Sequence, residues 1–202
     1  LRIWGNDVGS GGASNAGGNG DSGGDGTAGD STDGGEAGAP AGVPGVAYVS
    51  TLFGDLLVAS VDNESGTLSL LPSSPVKVAK TLNGVVVAPD GKFVFVPADP
   101  ARIDTYPIAA DGSLPAEPSS STTVDDDEPL LTMALDPQGR FAYGVSPFSS
   151  KLYVFTVNRD TGKLSASGEP LLIGPVAHRR SPAFAAPDPN GHFVYVTQMA
   201  DG

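Results

Sequence analysis

The residues best equipped for chemistry lie together in Ala177–Pro182, which reads AHRRSP. His178 has a pKa suited to taking a proton from water near neutrality. Arg179 and Arg180 are suited to holding a carboxylate or phosphate and to stabilising an oxyanion. The alternative role for all three is a solvated basic loop that balances an acidic surface. A second charged run, VDDDEP at Val124–Pro129, holds Asp125, Asp126, Asp127 and Glu128. Consecutive acids point in different directions and lack the spaced oxygens and glycine of a calcium loop, so no metal site is expected. The run reads as solvated and self-repelling, with a pairing to Arg179 or Arg180 across a channel as the electrostatic alternative. Cysteine is absent, which removes disulfides, thiolate zinc sites and cysteine nucleophiles. The sequence has no glycine-rich phosphate loop between a strand and a helix and no serine in a nucleophile elbow. No cofactor is expected.

These residues need a scaffold, and the scaffold is written as a repeat. APDGKFVFVP at Ala88–Pro97, LDPQGRFAYGV at Leu135–Val145 and PDPNGHFVYVT at Pro187–Thr197 share a turn followed by an aromatic strand. Their glycines, Gly91, Gly139 and Gly191, are spaced by 48 and 52 residues. A second phrase keeps step with the first: VDNESGTLSLL, IAADGSLPAEP and VNRDTGKLSASGEP, with Gly66, Gly112 and Gly162 spaced by 46 and 50. Two phrases held at one period of about 50 residues mark an internal repeat of four-stranded units. VVVAP is apolar throughout, as in a strand buried on both faces. KFVFVP alternates, RIDTYPI forms a third strand, and SLPAEP is expected as a weak outer strand whose prolines confine it to an edge. Helices are excluded, because proline and glycine interrupt every window.

The fold class is therefore all-β: a β-propeller of four-stranded antiparallel blades, with about three blades and part of another present. The units fall at about 46–83, 84–130, 131–181 and an incomplete 182–202. Phe95, Tyr143 and Tyr195 are expected to pack in the core or between blades. Two sets of loops face the ligand end. One set precedes each innermost strand and carries Lys80 and Asn83, then Asp125–Glu128, then His178–Arg180. The other joins second to third strands and carries Asp55, then Asp99 and Arg102, then Ser146, Ser149 and Lys151, then Gln198 and Asp201. Lys80, Asp99, Arg102, Asp127, Glu128 and Lys151 are the ligand-channel candidates. His192 lies in a turn at the opposite end and is expected to face solvent.

The remaining composition bounds partners and location. Residues 1–45 form a Gly/Asp/Ser-rich spacer; Gly5–Gly45 holds 16 of the 28 glycines, six acids and no basic residue. Such a stretch buries too little apolar surface to offset its ordering entropy and is expected to be disordered. The net charge of −12 disfavours nucleic acid and anionic membranes as partners. The sequence has no run of about 18 apolar residues, so no membrane span is expected. The chain starts at Leu1, and LRIW is too short for a signal-peptide core. A long Gly/Asp spacer ahead of a β domain points to a processed or truncated N-terminus and an extracytoplasmic home, secreted or tethered to the envelope, with the cytoplasm as the alternative.

YVST at Tyr48 and YVTQ at Tyr195 resemble the YVTN-type propeller repeat. The full run of turn, strand and hairpin from Val46 onward resembles the lactonase family of seven-bladed propellers, which includes bacterial 6-phosphogluconolactonase. The resemblance implies that the chain is the N-terminal half of a ring, with open sheet edges available for self-association. It also implies hydrolysis of a sugar lactone or related cyclic ester without a cofactor. His178 would then be the general base, and Arg179 or Arg180 the anion holder. Relatives often carry an H-x-H-like phrase just before the strand and turn; here that stretch reads RRSPAFAAPDPNG, and His178 has no partner histidine. The alternative is a non-catalytic extracytoplasmic propeller that binds a ligand or protein partner.

Overall fold

The three Pro/Gly turns fold alike, and each starts a hairpin. The computed structural model describes residues 45–51, 53–78, 84–124, 130–146, 149–174 and 181–199. The spacer, Lys80, Asn83, Asp125–Glu128, His178–Arg180 and Asp201 lie outside the described residues. Gly91, Gly139 and Gly191 take φ of 70°, 65° and 72°, the left-handed conformation that only glycine adopts without cost. Their amides donate to the carbonyls of Ala88, Asp136 and Asp188 at 2.9, 2.9 and 3.0 Å. Asp136 and Asp188 also accept from the amides of Phe141 and Phe193, at 2.9 and 2.7 Å, which fixes the entry to each aromatic strand.

Every regular element among the described residues is a strand, so no helix among them is long and apolar enough to cross a membrane. The first sheet holds β1 (Gly45–Ser50), β2 (Asp55–Val61), β3 (Leu68–Leu70) and β4 (Val76–Lys77). The second runs β5 (Val86–Val87), β6 (Phe93–Ala98), β7 (Arg102–Pro107) and β8 (Ser120–Thr123) in sequential order. The third holds β9 (Thr132–Leu135), β10 (Phe141–Ser146), β11 (Lys151–Val157), β12 (Leu164–Ala166) and β13 (Leu171–Leu172). The fourth pairs β14 (Ser181–Pro187) with β15 (Val194–Met199). All pairings are antiparallel between chain neighbours, apart from β4 and β13, which return to β2 and β11. The outer strand of the first and third sheets is thus one strand broken in two. In the first sheet, the described strands are the second, third and outer members of a blade, and β1 has no inner neighbour among them.

SLPAEP is not the outer strand. Residues 113–118 form no strand, with a bend at Ala116 and Glu117, and pairing to β7 is made by Ser120–Thr123, with Thr105 opposite Ser120 and Arg102 opposite Thr123. Pro115 and Pro118 supply no amide to a ladder. Leu114 instead leaves the sheet plane and is buried between the first two sheets.

The sheets stack face to face through alternate residues, as the two-residue period of a strand requires. Val94, Val96 and Tyr106 of the second sheet meet Tyr48, Leu56 and Val58 of the first. Phe93, Phe95 and Ile103, on the opposite face, meet Met133, Ala142, Tyr153 and Phe155 of the third. Tyr143, Val145 and Leu152 continue the stack to Ala185, Val194 and Val196 of the fourth. Phe95 and Tyr143 therefore pack between sheets as expected. Tyr195 does not: it is 62% exposed, because no sheet of the described residues covers that face.

The stack is keyed at the turn end. A Cβ at Gly112 would lie 2.5 Å from Val46 Cγ2, and one at Gly162 would lie 2.6 Å from Phe93 Cδ1 and 2.7 Å from Thr105 Cγ2. Both carbonyls accept hydrogen bonds from the preceding sheet: Gly112 from Tyr48 Oη at 2.8 Å and Gly162 from Thr105 Oγ1 at 3.4 Å. Bare backbone here lets each hairpin sit directly on its neighbour.

Candidate functional site

Strand alternation sends the Gly91-type and Gly112-type turns to one end of the stack. The described loops joining second to third strands, and the starts of β9 and β14, lie at the other. His178, Arg179, Arg180, Lys80, Asp127 and Glu128 lie outside the described residues, so the described part of the site comes from the second set.

Asp55, Arg102 and Lys151 begin β2, β7 and β11 and occupy matching positions. Arg102 pairs with Ala98 and Lys151 with Ser146 across their loops, and the Asp55 carbonyl accepts the Thr51 amide at 2.9 Å. One blade position thus carries an acid, an arginine and a lysine in turn. Asp55 forms an ion pair with Lys77, its partner in the β2–β4 register. The Arg102 Nε donates to both carboxylate oxygens of Asp104, at 3.0 and 3.1 Å. Asp104 is 1% exposed and also accepts from Ser121 Oγ at 2.6 Å. A buried carboxylate requires such partners, and here a cation and a hydroxyl supply them. Lys151 is half-buried.

Asp99 lies in the tight Asp99–Pro100 turn, where Ala101 takes φ of 28° and is 2% exposed. Ser146 is fully buried, and the Ser149 hydroxyl is buried without a hydrogen-bond partner among the described residues. Gln198 Nε2 donates to the Ile173 carbonyl, tying the fourth sheet's loop end to the third sheet. Arg102 is brought into a charged cluster, but its partner is its own strand neighbour. Asp104, Ser121 and Lys77 join the candidates from strand positions and not from loops. Asp104 lies on the same strand face as Arg102 and Tyr106, two residues from each.

The same face perturbs a tyrosine. The Tyr106 phenol is pushed up to about 12, chiefly by burial and then by the nearby Asp104 carboxylate. Tyr48, across the junction, is also raised to about 12, by burial and then by Asp111. At the turn end, hydrogen bonds from Ser113 hold Asp111 below the usual carboxylate range. The backbone amide of Phe193 is the leading cause of the same effect at Asp188. His192 is exposed at that end, edge-on to Phe193, and takes no part in the loop cluster.

No protein-family model matches the chain, and no curated protein matches its sequence. Solved structures do match. The periplasmic gluconolactonase of Pseudomonas aeruginosa aligns with a TM-score of 0.58 at 21% identity, over 76% of this chain and 46% of its own. A candidate 6-phosphogluconolactonase from Bacteroides uniformis aligns with a TM-score of 0.57 at 22% identity, over 77% of this chain and 49% of its own. The Cps50 β-propeller domain of Myceliophteria thermophila aligns with a TM-score of 0.52 at 14% identity, over 71% of this chain and 48% of its own. The fold is that of a β-propeller, shared with structures named as lactonases and with one that is not. The chain spans about half the length of these structures.

Proposed function

We propose that this chain is part of a lactonase-like propeller that hydrolyses a sugar lactone or related cyclic ester. The observation that carries the reading is the fold match to the periplasmic gluconolactonase and the candidate 6-phosphogluconolactonase, over about three-quarters of this chain. AHRRSP leads directly into β14 in the chain, and β14 starts at the end of the stack that also holds Arg102 and Lys151. In this reading His178 takes a proton from water, and the resulting hydroxide adds to the lactone carbonyl. Arg179 or Arg180 stabilises the oxyanion or holds the substrate's anionic group. Collapse breaks the ring C–O bond, and the proton on His178 passes to the leaving alkoxide. The product is an open hydroxy acid, which releases one proton near neutral pH. The periplasmic address of one structural neighbour, with the Gly-rich leading segment, supports an extracytoplasmic location for this chain.

The test is acid release from gluconolactone-type substrates, followed with a pH indicator on the full chain. Wild type is expected to exceed the buffer rate, and His178→Ala to lose about 10²–10⁴-fold, the range for a general base. Arg180→Ala is expected to weaken turnover of anionic substrates more than neutral ones. A wild type no faster than buffer on every such substrate would overturn the reading.

A further inference from the structure

The loops that join second to third strands lead into Asp55, Arg102 and Lys151, and two residues further on the repeat places Leu57, Asp104 and Tyr153. The second sheet thus carries a carboxylate where the first and third carry leucine and tyrosine. The Asp104 side chain is 1% exposed, on the strand face that Tyr106 packs against the first sheet. Stability does not account for it, because exchanging a buried ion pair for packed apolar side chains is often neutral or stabilising. What the carboxylate does is grip Arg102. Both of its oxygens accept from Arg102 Nε, at 3.0 and 3.1 Å, and Ser121 Oγ donates to Oδ1 at 2.6 Å and steadies the carboxylate in turn. The grip is made through Nε, so the Nη1 and Nη2 donors have no hydrogen-bond partner among the described residues. The Arg102 side chain is 35% exposed. Ala98 and Thr123 are its register partners in the adjoining strands, so short side chains flank it on both sides. A guanidinium fixed at Nε, with its outer edge uncovered, presents paired N–H groups that match two oxygens of a carboxylate or a phosphate.

We propose that Arg102, held by Asp104 and Ser121, is a binding site for a small oxyanion, the carboxylate or phosphate group of a ligand at the loop end of the second sheet. Asp104 is a positioning residue: it is buried, and it acts through Arg102. The chain's net charge of −12 opposes diffuse anion binding, so an anion gains only where donors are oriented to receive it. Because the carboxylate already balances the guanidinium, the site works by the geometry of its hydrogen bonds more than by charge, and a lysine cannot stand in for Arg102. The site stands whether or not the chain hydrolyses lactones.

The test is titration calorimetry on the full chain at low ionic strength, with inorganic phosphate and gluconate as separate probes. Wild type is expected to bind at least one of them, less tightly as sodium chloride is added. Binding of phosphate alone identifies a phosphate ester as the ligand class, and binding of gluconate alone a carboxylate; either supports the site. Arg102→Gln is expected to weaken binding about 10-fold or more, the scale of hydrogen bonds to a charged group. Arg102→Lys keeps the charge without the fork and is expected to lose nearly as much. Asp104→Leu installs the first sheet's residue and is expected to keep the strand circular dichroism and the urea midpoint while weakening anion binding, a combination that a merely structural role would not give. Asp104→Asn replaces it if the leucine variant does not fold, with the same expected loss of binding. The double variant Arg179→Gln, Arg180→Gln is expected to retain the Arg102-dependent binding, which separates this site from the proposed catalytic loop. A wild type that binds neither probe would overturn the proposal, as would Arg102 or Asp104 variants that bind as wild type does, or loss of all binding in the double variant.

Discussion

The second and fourth sheets carry the same aromatic strand in the same register, with opposite outcomes. Phe93 and Phe95 are 8% and 0% exposed, whereas Phe193 and Tyr195 are 63% and 62% exposed. Their turns have the same glycine geometry and the same apolar alternation. The difference lies in the adjoining unit: the third sheet lies against Phe95, and no described sheet lies against Tyr195. A repeat motif thus encodes which face a side chain takes, while burial depends on the neighbouring blade. Stability should follow the neighbour and not the motif.

The sharpest test compares Phe95→Ala with Tyr195→Ala in urea, at concentrations where the chain is a monomer. Truncating a fully buried phenylalanine leaves a cavity and is expected to cost about 3–5 kcal/mol. The exposed tyrosine is expected to change stability by no more than about 0.5 kcal/mol. Equal losses would show that Tyr195 is buried within its own chain and would end the comparison.

A second contrast sits on the hairpin glycines. Gly66 and Gly162 have φ of 70° and 71°, so alanine at either position incurs left-handed strain of about 1–2 kcal/mol. Only Gly162 adds a clash, since its Cβ would lie 2.6 Å from the Phe93 ring. Overpacking of that kind costs a further 1–3 kcal/mol, roughly. Gly162→Ala should therefore melt well below Gly66→Ala in thermal unfolding. Coincident melting would mean that the hairpin does not bear on the preceding sheet.

The repeat makes the strands and their faces legible, because turn glycines and two-residue alternation act locally. The outer strand of the second sheet departs from expectation for the same reason. SLPAEP looks like a strand by its place in the period, but Pro115 and Pro118 leave the ladder short of amides, and pairing moves to Ser120–Thr123. Tyr195 departs because alternation cannot say whether a second sheet is present. Within the candidate site, Arg102 is legible from its place on a loop. Its engagement with Asp104 and Ser121 is not, because those partners sit on strands, where polar residues ordinarily face solvent. AHRRSP is the reverse case. Its residue types are legible, but nothing in the local sequence fixes its geometry.

The finest contrast is alkaline. Tyr48 and Tyr106 line the junction between the first and second sheets, and burial raises both phenols to about 12. An unfolded tyrosine ionises near about 10. Between those values the unfolded chain binds fewer protons than the folded one, so stability falls as pH rises. The contribution is complete below about pH 10 and is lost as the pH climbs through the folded value near 12. Urea midpoints should therefore drop between about pH 10 and about pH 12, with tyrosinate absorbance appearing as the chain unfolds. Tyr48→Phe removes one of the two titrations and also leaves the Gly112 carbonyl without the hydroxyl that now donates to it at 2.8 Å. The variant should start slightly less stable near neutrality and then lose less on going alkaline, so the two curves converge as pH rises. If Tyr48→Phe keeps the wild-type slope, the Tyr48 phenol is not held protonated by the junction, and the first two sheets are less tightly closed than the second and third.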